Sequence, residues 1–191
     1  MQLNKLSKIQ KEEFAPVYSD MTGQFPLCEL KSYEHYIKYF DSDKYCFYRA
    51  GDIGYILFAN IDDYIWVDYL AIFREYQSMG FGSKILDLIK EEFKNYKGIF
   101  FEVEKIDFNK INTVKRSKFY VKNGVNPVNN IEYYYPNDEG GLLMDLYYCP
   151  LKDKNPDNKT IKKVISDVFE FIHYDIKDLD KIYLKIKFKG E

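Results

Sequence analysis

Cysteine is scarce in this chain and poorly placed for structural chemistry. The three cysteines, Cys28, Cys46 and Cys149, are odd in number, widely spaced and form no Cys-x-x-Cys pair, which argues against a disulfide framework and a thiolate zinc site. Cys46 and Cys149 lie in apolar stretches and read as small core residues rather than nucleophiles. Histidine is as sparse: His35 and His173 have no cysteine or second histidine nearby, so no metal is expected and both are assigned surface or boundary positions. No run approaches the ~20 apolar residues of a membrane span. Met1 to Phe14 alternates polar and apolar residues without the apolar stretch of an export signal. With 28 basic and 30 acidic residues, the formal charge of -2 gives no general attraction for a phosphate backbone, so neither nucleic acid nor membrane is an expected partner. A cationic small molecule or peptide is tolerated better. These absences point to a soluble protein in a reducing cytoplasm.

What is present is a globular composition. The 191 residues, 46% hydrophobic and 18% aromatic, suffice for one well-buried core and at most an appendage. Ile9, Phe14, Val17 and Tyr18, then Leu30, Tyr33, Ile37 and Phe40, fall near helical spacing, so two short helices are expected early. From Lys44 the chain turns aromatic and β-branched. Tyr45–Arg49, Ile53–Ala59 and Tyr64–Ile72, separated by Gly51-Asp52 and Asp62-Asp63, read as an antiparallel meander. Phe81, Ile85, Leu88, Ile89 and Phe93 mark an amphipathic helix. The apolar run Ile99–Val103 suits a buried strand parallel to the one before that helix. Asn112–Asn123 reads as a further helix closed by Gly124, and Ile131–Tyr135 with Leu142–Cys149 as a closing hairpin. After a polar linker, Leu151–Asn158, a helix is expected through Ile161, Val164, Ile165, Val168, Phe169 and Ile172. Ile182, Leu184, Ile186 and Phe188 alternate with polar residues and Tyr183, as in a final strand with one solvated face.

The chemistry is expected where a strand, a turn and a helix start meet, at Leu70-Ala71-Ile72 followed by Gln77-Ser78-Met79-Gly80-Phe81-Gly82-Ser83-Lys84. Free N–H groups and the positive dipole end of a helix N-terminus bind phosphate, and glycine at 80 and 82 lets a pyrophosphate approach the main chain. Ser83 and Lys84 add a hydroxyl and a charge. The segment lacks the third glycine of a dinucleotide fingerprint and the Gly-Lys-Ser/Thr of a Walker loop. It resembles motif A of the GNAT acetyltransferase superfamily, Gln/Arg-x-x-Gly-x-Gly/Ala. Arg116-Ser117-Lys118-Phe119-Tyr120-Val121-Lys122-Asn123-Gly124 is similar to the same family's Arg-x-x-Phe-Tyr-x-x-x-Gly helix end, with Val125 where the family usually has Phe.

The resemblance implies an α/β fold: a mixed, mostly antiparallel sheet of about seven strands, with a parallel pair splayed at the CoA site and helices on both faces. It covers roughly residues 1–150, leaving 151–191 as a helix-strand extension that packs on its own sheet or across a homodimer. It also implies direct acetyl transfer from acetyl-CoA to a primary amine of a small molecule or peptide. Leu70, Ala71 and Ile72 would pair with the pantetheine arm and Gln77 to Lys84 would hold the pyrophosphate. Tyr120 matches the family's thiolate protonator. Glu102 and Glu104 share one strand face near the expected thioester, and either is a candidate base for the amine, with Glu104 slightly preferred. Glu29, Asp68 and Asp145 are candidates for attracting a cationic acceptor. Among Tyr133, Tyr134, Tyr135, Tyr147 and Tyr148, one or two are expected to wall the acceptor cleft. The alternative function is a catalytically inactive acyl-CoA-binding sensor or assembly module.

Overall fold

Apolar spacing decides most of the secondary structure. The structure is a computed structural model describing residues 5–190; residues 1–4 and 191, the outer ends of the two expected segments, lie outside the described residues. The chain forms two compact units, one running through Asn60 and including Val67–Asn95, the other made of Ile61–Trp66 and the residues from Tyr96 onward.

In the first unit β1 (Ser7–Lys8) pairs antiparallel with β2 (Tyr45–Ala50), which pairs antiparallel with β3 (Gly54–Ile61) in register from Tyr45↔Ala59 to Ala50↔Gly54. Helix α1 (Phe14–Gln24) buries Phe14, Val17 and Met21, the i, i+3, i+7 stripe of an amphipathic helix. Helix α2 (Tyr33–Tyr39) begins at Ser32, whose hydroxyl accepts the His35 N–H at 3.2 Å as an N-cap. The rings of Phe14, Phe40 and Phe47 pack together, Phe40 stacked on Phe47 at 3.9 Å. Strand β4 (Tyr64–Ile72), whose residues from Val67 onward belong to this unit, leads into α3 (Phe81–Glu92), which buries Ile85, Leu86 and Ile89. Leu86 thus replaces Leu88, half-buried here, in the stripe read from the sequence.

In the second unit β5 (Gly98–Glu104) runs antiparallel to β8 (Leu142–Pro150), from Gly98↔Pro150 to Glu104↔Met144. β8 also pairs with β6 (Asn126–Pro127) and β7 (Ile131–Tyr135), and β7 pairs with β9 (Lys187–Phe188). Helix α4 (Ile111–Lys122) follows β5. Helix α5 (Asn158–Ile172) is capped by Asp157, which accepts from the Thr160 N–H at 2.7 Å, and buries the six residues that its periodicity marks. The strand order is β1-β2-β3-β4-β5-β8-β7-β9 with β6 on β8. Among the described residues β4 and β5 form the one parallel pair of a mostly antiparallel sheet with helices around it. Nine strands stand among the described residues where about seven were expected, because β1 and β6 have two residues each, too few for a period to show.

Two expectations need correction. Residues 179–183 form helix α6 (Leu179–Tyr183), so the last strand shrinks to Lys187–Phe188. Its partner strand offers only Ile131 and Glu132 to pair with it. Ile182 is buried against Gly141, where an added Cβ would lie 2.9 Å from its side chain, while Leu184 is 79% exposed instead of sharing its face. His173 is not a surface residue. It is 1% exposed at the end of α5, its ring edge-on to Tyr135 and Phe169, because the C-terminal turn of that helix is covered by aromatic side chains.

Candidate active site

β4 ends at Ile72, a 3-10 turn spans Arg74–Tyr76, and the chain then bends through Ser78 (φ 63°) and Gly80 (φ 81°) into α3. Gly80 occupies the N-cap position in the left-handed region, with no side chain capping the helix. The first-turn N–H groups therefore have no intrahelical acceptor and no side-chain substitute. No acidic residue stands in that turn, so nothing cancels the positive end of the dipole. An added Cβ at Gly80 would meet no atom within 4 Å; the main chain there faces open space, as the approach of a pyrophosphate requires. Gln77 to Gly80 are exposed, Met79 by 64%, and the Lys84 ammonium lies over the Phe81 ring at 5.5 Å. The residues present fit an anionic group. Gln77 itself is turned inward, its amide nitrogen donating to the Ile72 carbonyl at 3.0 Å and to Gln24 Oε1 at 2.9 Å.

Asp68, also in the first unit, sits on β4 among tyrosines. The Tyr45 hydroxyl donates to Asp68 Oδ2, and Tyr36, Tyr39 and Tyr45 are nearly inaccessible. Burial pushes the Asp68 carboxyl up to about 6, against the lowering effects of the Tyr45 hydrogen bond and the Lys31 charge. Burial, with the charge of Asp68, also raises Tyr45 and Tyr36 well above the ordinary phenol range, so both remain donors. Glu29 ends a 3-10 turn, and its main-chain carbonyl accepts from the Tyr69 hydroxyl. No local sequence pattern links Tyr45 to Asp68, because Tyr45 lies on β2 and Asp68 on β4, with β3 between them in the strand order.

The second unit holds the other candidates. Tyr120 is 8% exposed on α4, its ring packed beside Phe101 and Tyr147. Burial pushes its hydroxyl up to about 12, the Arg116 charge lowering it and Glu104 raising it. Among the described residues that hydroxyl has no hydrogen-bond partner, whereas Tyr147 is bonded to Ser117 at 2.8 Å. Glu104 ends β5 and is paired with Arg116. Glu102 has both oxygens engaged, one by Trp66 Nε1 at 3.2 Å and the other by the Tyr133 hydroxyl. Asp145, opposite Val103 on β8, is paired with Lys105. Tyr133, Tyr135, Tyr147 and Tyr148 are buried, and Tyr134 is half-buried with its hydroxyl on Glu132 at 3.1 Å.

Known proteins resemble this chain over most of its length. The model of the acetyltransferase (GNAT) family matches residues 5–119. The putative acetyltransferase YjbC of Bacillus subtilis (strain 168) is 27% identical over 160 residues, 82% of this chain and 80% of that protein. A solved structure of a putative GNAT-family acetyltransferase from Bacteroides thetaiotaomicron aligns with a TM-score of 0.74 at 23% identity, covering 91% of this chain and 100% of its own. A spermidine N-acetyltransferase from Vibrio cholerae, solved with CoA and spermine, shares the fold at a TM-score of 0.57 and 14% identity, over 78% of this chain and 96% of its own. No helix among the described residues is long and apolar enough to cross a membrane. The family match spans more than half of the chain, including β4, the glycine loop, α3 and β5, and this chain belongs to the GNAT acetyltransferase family.

Proposed function

We propose that the protein transfers the acetyl group of acetyl-CoA directly to a primary amine of a small molecule or peptide. The observation that carries this reading is the loop Gln77–Gly82: an exposed turn with two left-handed residues that opens onto an uncapped helix start, in a chain of an acetyltransferase family. Main-chain N–H groups from Ser78 to Lys84 hold the pyrophosphate. Leu70, Ala71 and Ile72 meet the pantetheine arm, and a main-chain N–H there stabilises the oxyanion.

The amine loses a proton, its nitrogen bonds to the thioester carbonyl carbon, and the C–S bond breaks as the thiolate takes a proton. Tyr120 supplies that proton. With its hydroxyl raised to about 12, it is protonated throughout the neutral range and carries no competing internal hydrogen bond among the described residues. Glu104 is the preferred acceptor of the amine proton, directly or through water, because both oxygens of Glu102 already accept hydrogen bonds from buried donors. Asp68 attracts the cationic acceptor, with Glu29 and Asp145 as further acidic groups; Asp145 already has Lys105 as a partner. The solved V. cholerae enzyme with spermine supports an amine acceptor by fold alone.

Residues 1–150 are the acetyltransferase segment in this reading, 151–191 an extension to it, and the cytoplasm the compartment. The reading also includes a homodimer, for which the dodecameric structure of V. cholerae spermidine N-acetyltransferase is the supporting parallel. Calorimetric titration with acetyl-CoA tests the cofactor step. Saturable binding of one equivalent per chain is expected, and absence of binding would overturn the assignment of the loop.

A further inference from the structure

The amide of Gln24, at the C-terminal end of α1, is fully committed. Its Nε2 donates to Asp20 Oδ2 at 2.6 Å and to the Ile72 carbonyl at 3.1 Å, and its Oε1 accepts from Gln77 Nε2 at 2.9 Å. Two acceptors on one side and a donor on the other fix which end of the amide is nitrogen. Asp20 is held in turn, since the same oxygen accepts the hydroxyl of buried Tyr55 at 2.8 Å. Gln77 Nε2 spends both of its protons, on Gln24 Oε1 and on the Ile72 carbonyl. That carbonyl accepts two amide donors, filling both lone pairs. Beside this chain of bonds, the Arg74 guanidinium donates to the Gly23 carbonyl, one of the last carbonyls of α1 that lacks an intrahelical donor.

Two consequences follow. The side chain of Gln77 has no N–H left for an anion, and its main-chain N–H donates to the Arg74 carbonyl at 3.3 Å, so its contribution to a phosphate site is through where its backbone is held. That position depends on Gln24, which is distant in sequence and belongs to no recognised motif. We infer that Gln24 is a positioning residue for CoA binding: anchored by Asp20, it holds Gln77 and the end of β4 in place, so that the turn Ser78–Gly80 is ordered before the ligand arrives. This rests on the cofactor reading of the loop. The energetic basis is preorganisation, because a loop already held in its binding geometry loses less freedom when it binds.

The test is calorimetric titration of coenzyme A into wild type, Gln24→Met, Gln77→Met and the double variant, with the melting temperature of each measured alongside. Methionine keeps the length of glutamine and removes its hydrogen bonds. Gln24→Met is expected to weaken CoA binding about fivefold or more, the scale of one immobilised side chain. The double variant is expected to bind no more weakly than Gln77→Met alone, since Gln24 acts through Gln77. A purely structural role would lower the melting temperature and leave affinity unchanged, or would give effects that add. Either result overturns the inference while wild type still binds CoA. If wild type itself does not bind, the cofactor reading fails and this inference with it. Should Gln24→Met not fold, Gln24→Ala, which suits a helix end and also removes the amide, carries the same comparison.

Discussion

Replacing Asp68 by asparagine tests the electrostatics of the tyrosine cluster through stability alone. The Asp68 carboxyl is raised to about 6 from 3.8, mainly by burial. A folded-state value above the unfolded one means that between these pH values the folded chain binds more protons, so stability falls as pH rises through about 4 to 6. At about 1.4 kcal/mol per pH unit, ionised Asp68 costs the fold about 3 kcal/mol at pH 8 and close to nothing below pH 4. The groups facing it are Tyr45, which donates to it, Tyr36, and Lys31, whose charge favours the ionised form. The side-chain amide that replaces the carboxyl keeps an oxygen for the Tyr45 hydroxyl and carries no charge. Asp68→Asn is therefore expected to match wild type near pH 4 and to be more stable by up to about 3 kcal/mol at pH 8. Urea denaturation at half-unit pH steps measures this, and all other titrations cancel in the difference between the two proteins. A difference that does not change with pH, or a variant less stable than wild type at pH 8, would refute the reasoning.

Further expectations concern the loop and the proton transfers. Gly80→Val places a β-branched residue at φ 81° and a side chain where the ligand approaches. It should destabilise the fold by about 1–3 kcal/mol and abolish CoA binding in the folded fraction, read by denaturation and calorimetry. Tyr120→Phe should lower kcat by about 100-fold or more without loss of folding; unchanged turnover would remove Tyr120 from the mechanism. Glu104→Gln should lower kcat by about 100-fold or more in a folded protein, whereas Glu102→Gln should mainly cost stability, by about 1–3 kcal/mol, because an amide cannot accept from Trp66 and Tyr133 on both of its ends.

Elements with a sustained period were legible in the sequence. The stripe of α5 from Ile161 to Ile172 and the run of β5 declare their faces because burial follows the helix or strand repeat. The glycine loop was legible for a different reason: its residues are contiguous and the φ of Gly80 demands glycine. Partnerships were not legible. Glu104 with Arg116, Glu102 with Trp66 and Tyr133, and Gln24 with Gln77 are made by tertiary placement, and no local pattern announces them. Alternation at Ile182 to Phe188 misled because two-residue spacing over a short stretch also fits a helix followed by an irregular turn; of the four alternating residues, Ile182 alone is buried. His173 was misplaced because the aromatic cover over the end of α5 comes from Tyr135, on a strand far away in sequence.

The central claim is acetyl transfer, and its most direct measurement is free-thiol release from acetyl-CoA by the purified protein across a panel of amines, with the acetylated product weighed by mass spectrometry. Thiol release above the uncatalysed rate, matched one for one by an amine carrying an added acetyl group, is the expected result. A protein that binds acetyl-CoA but releases no thiol with any small-molecule or peptide amine would contradict the claim and leave an acyl-CoA-binding module in its place.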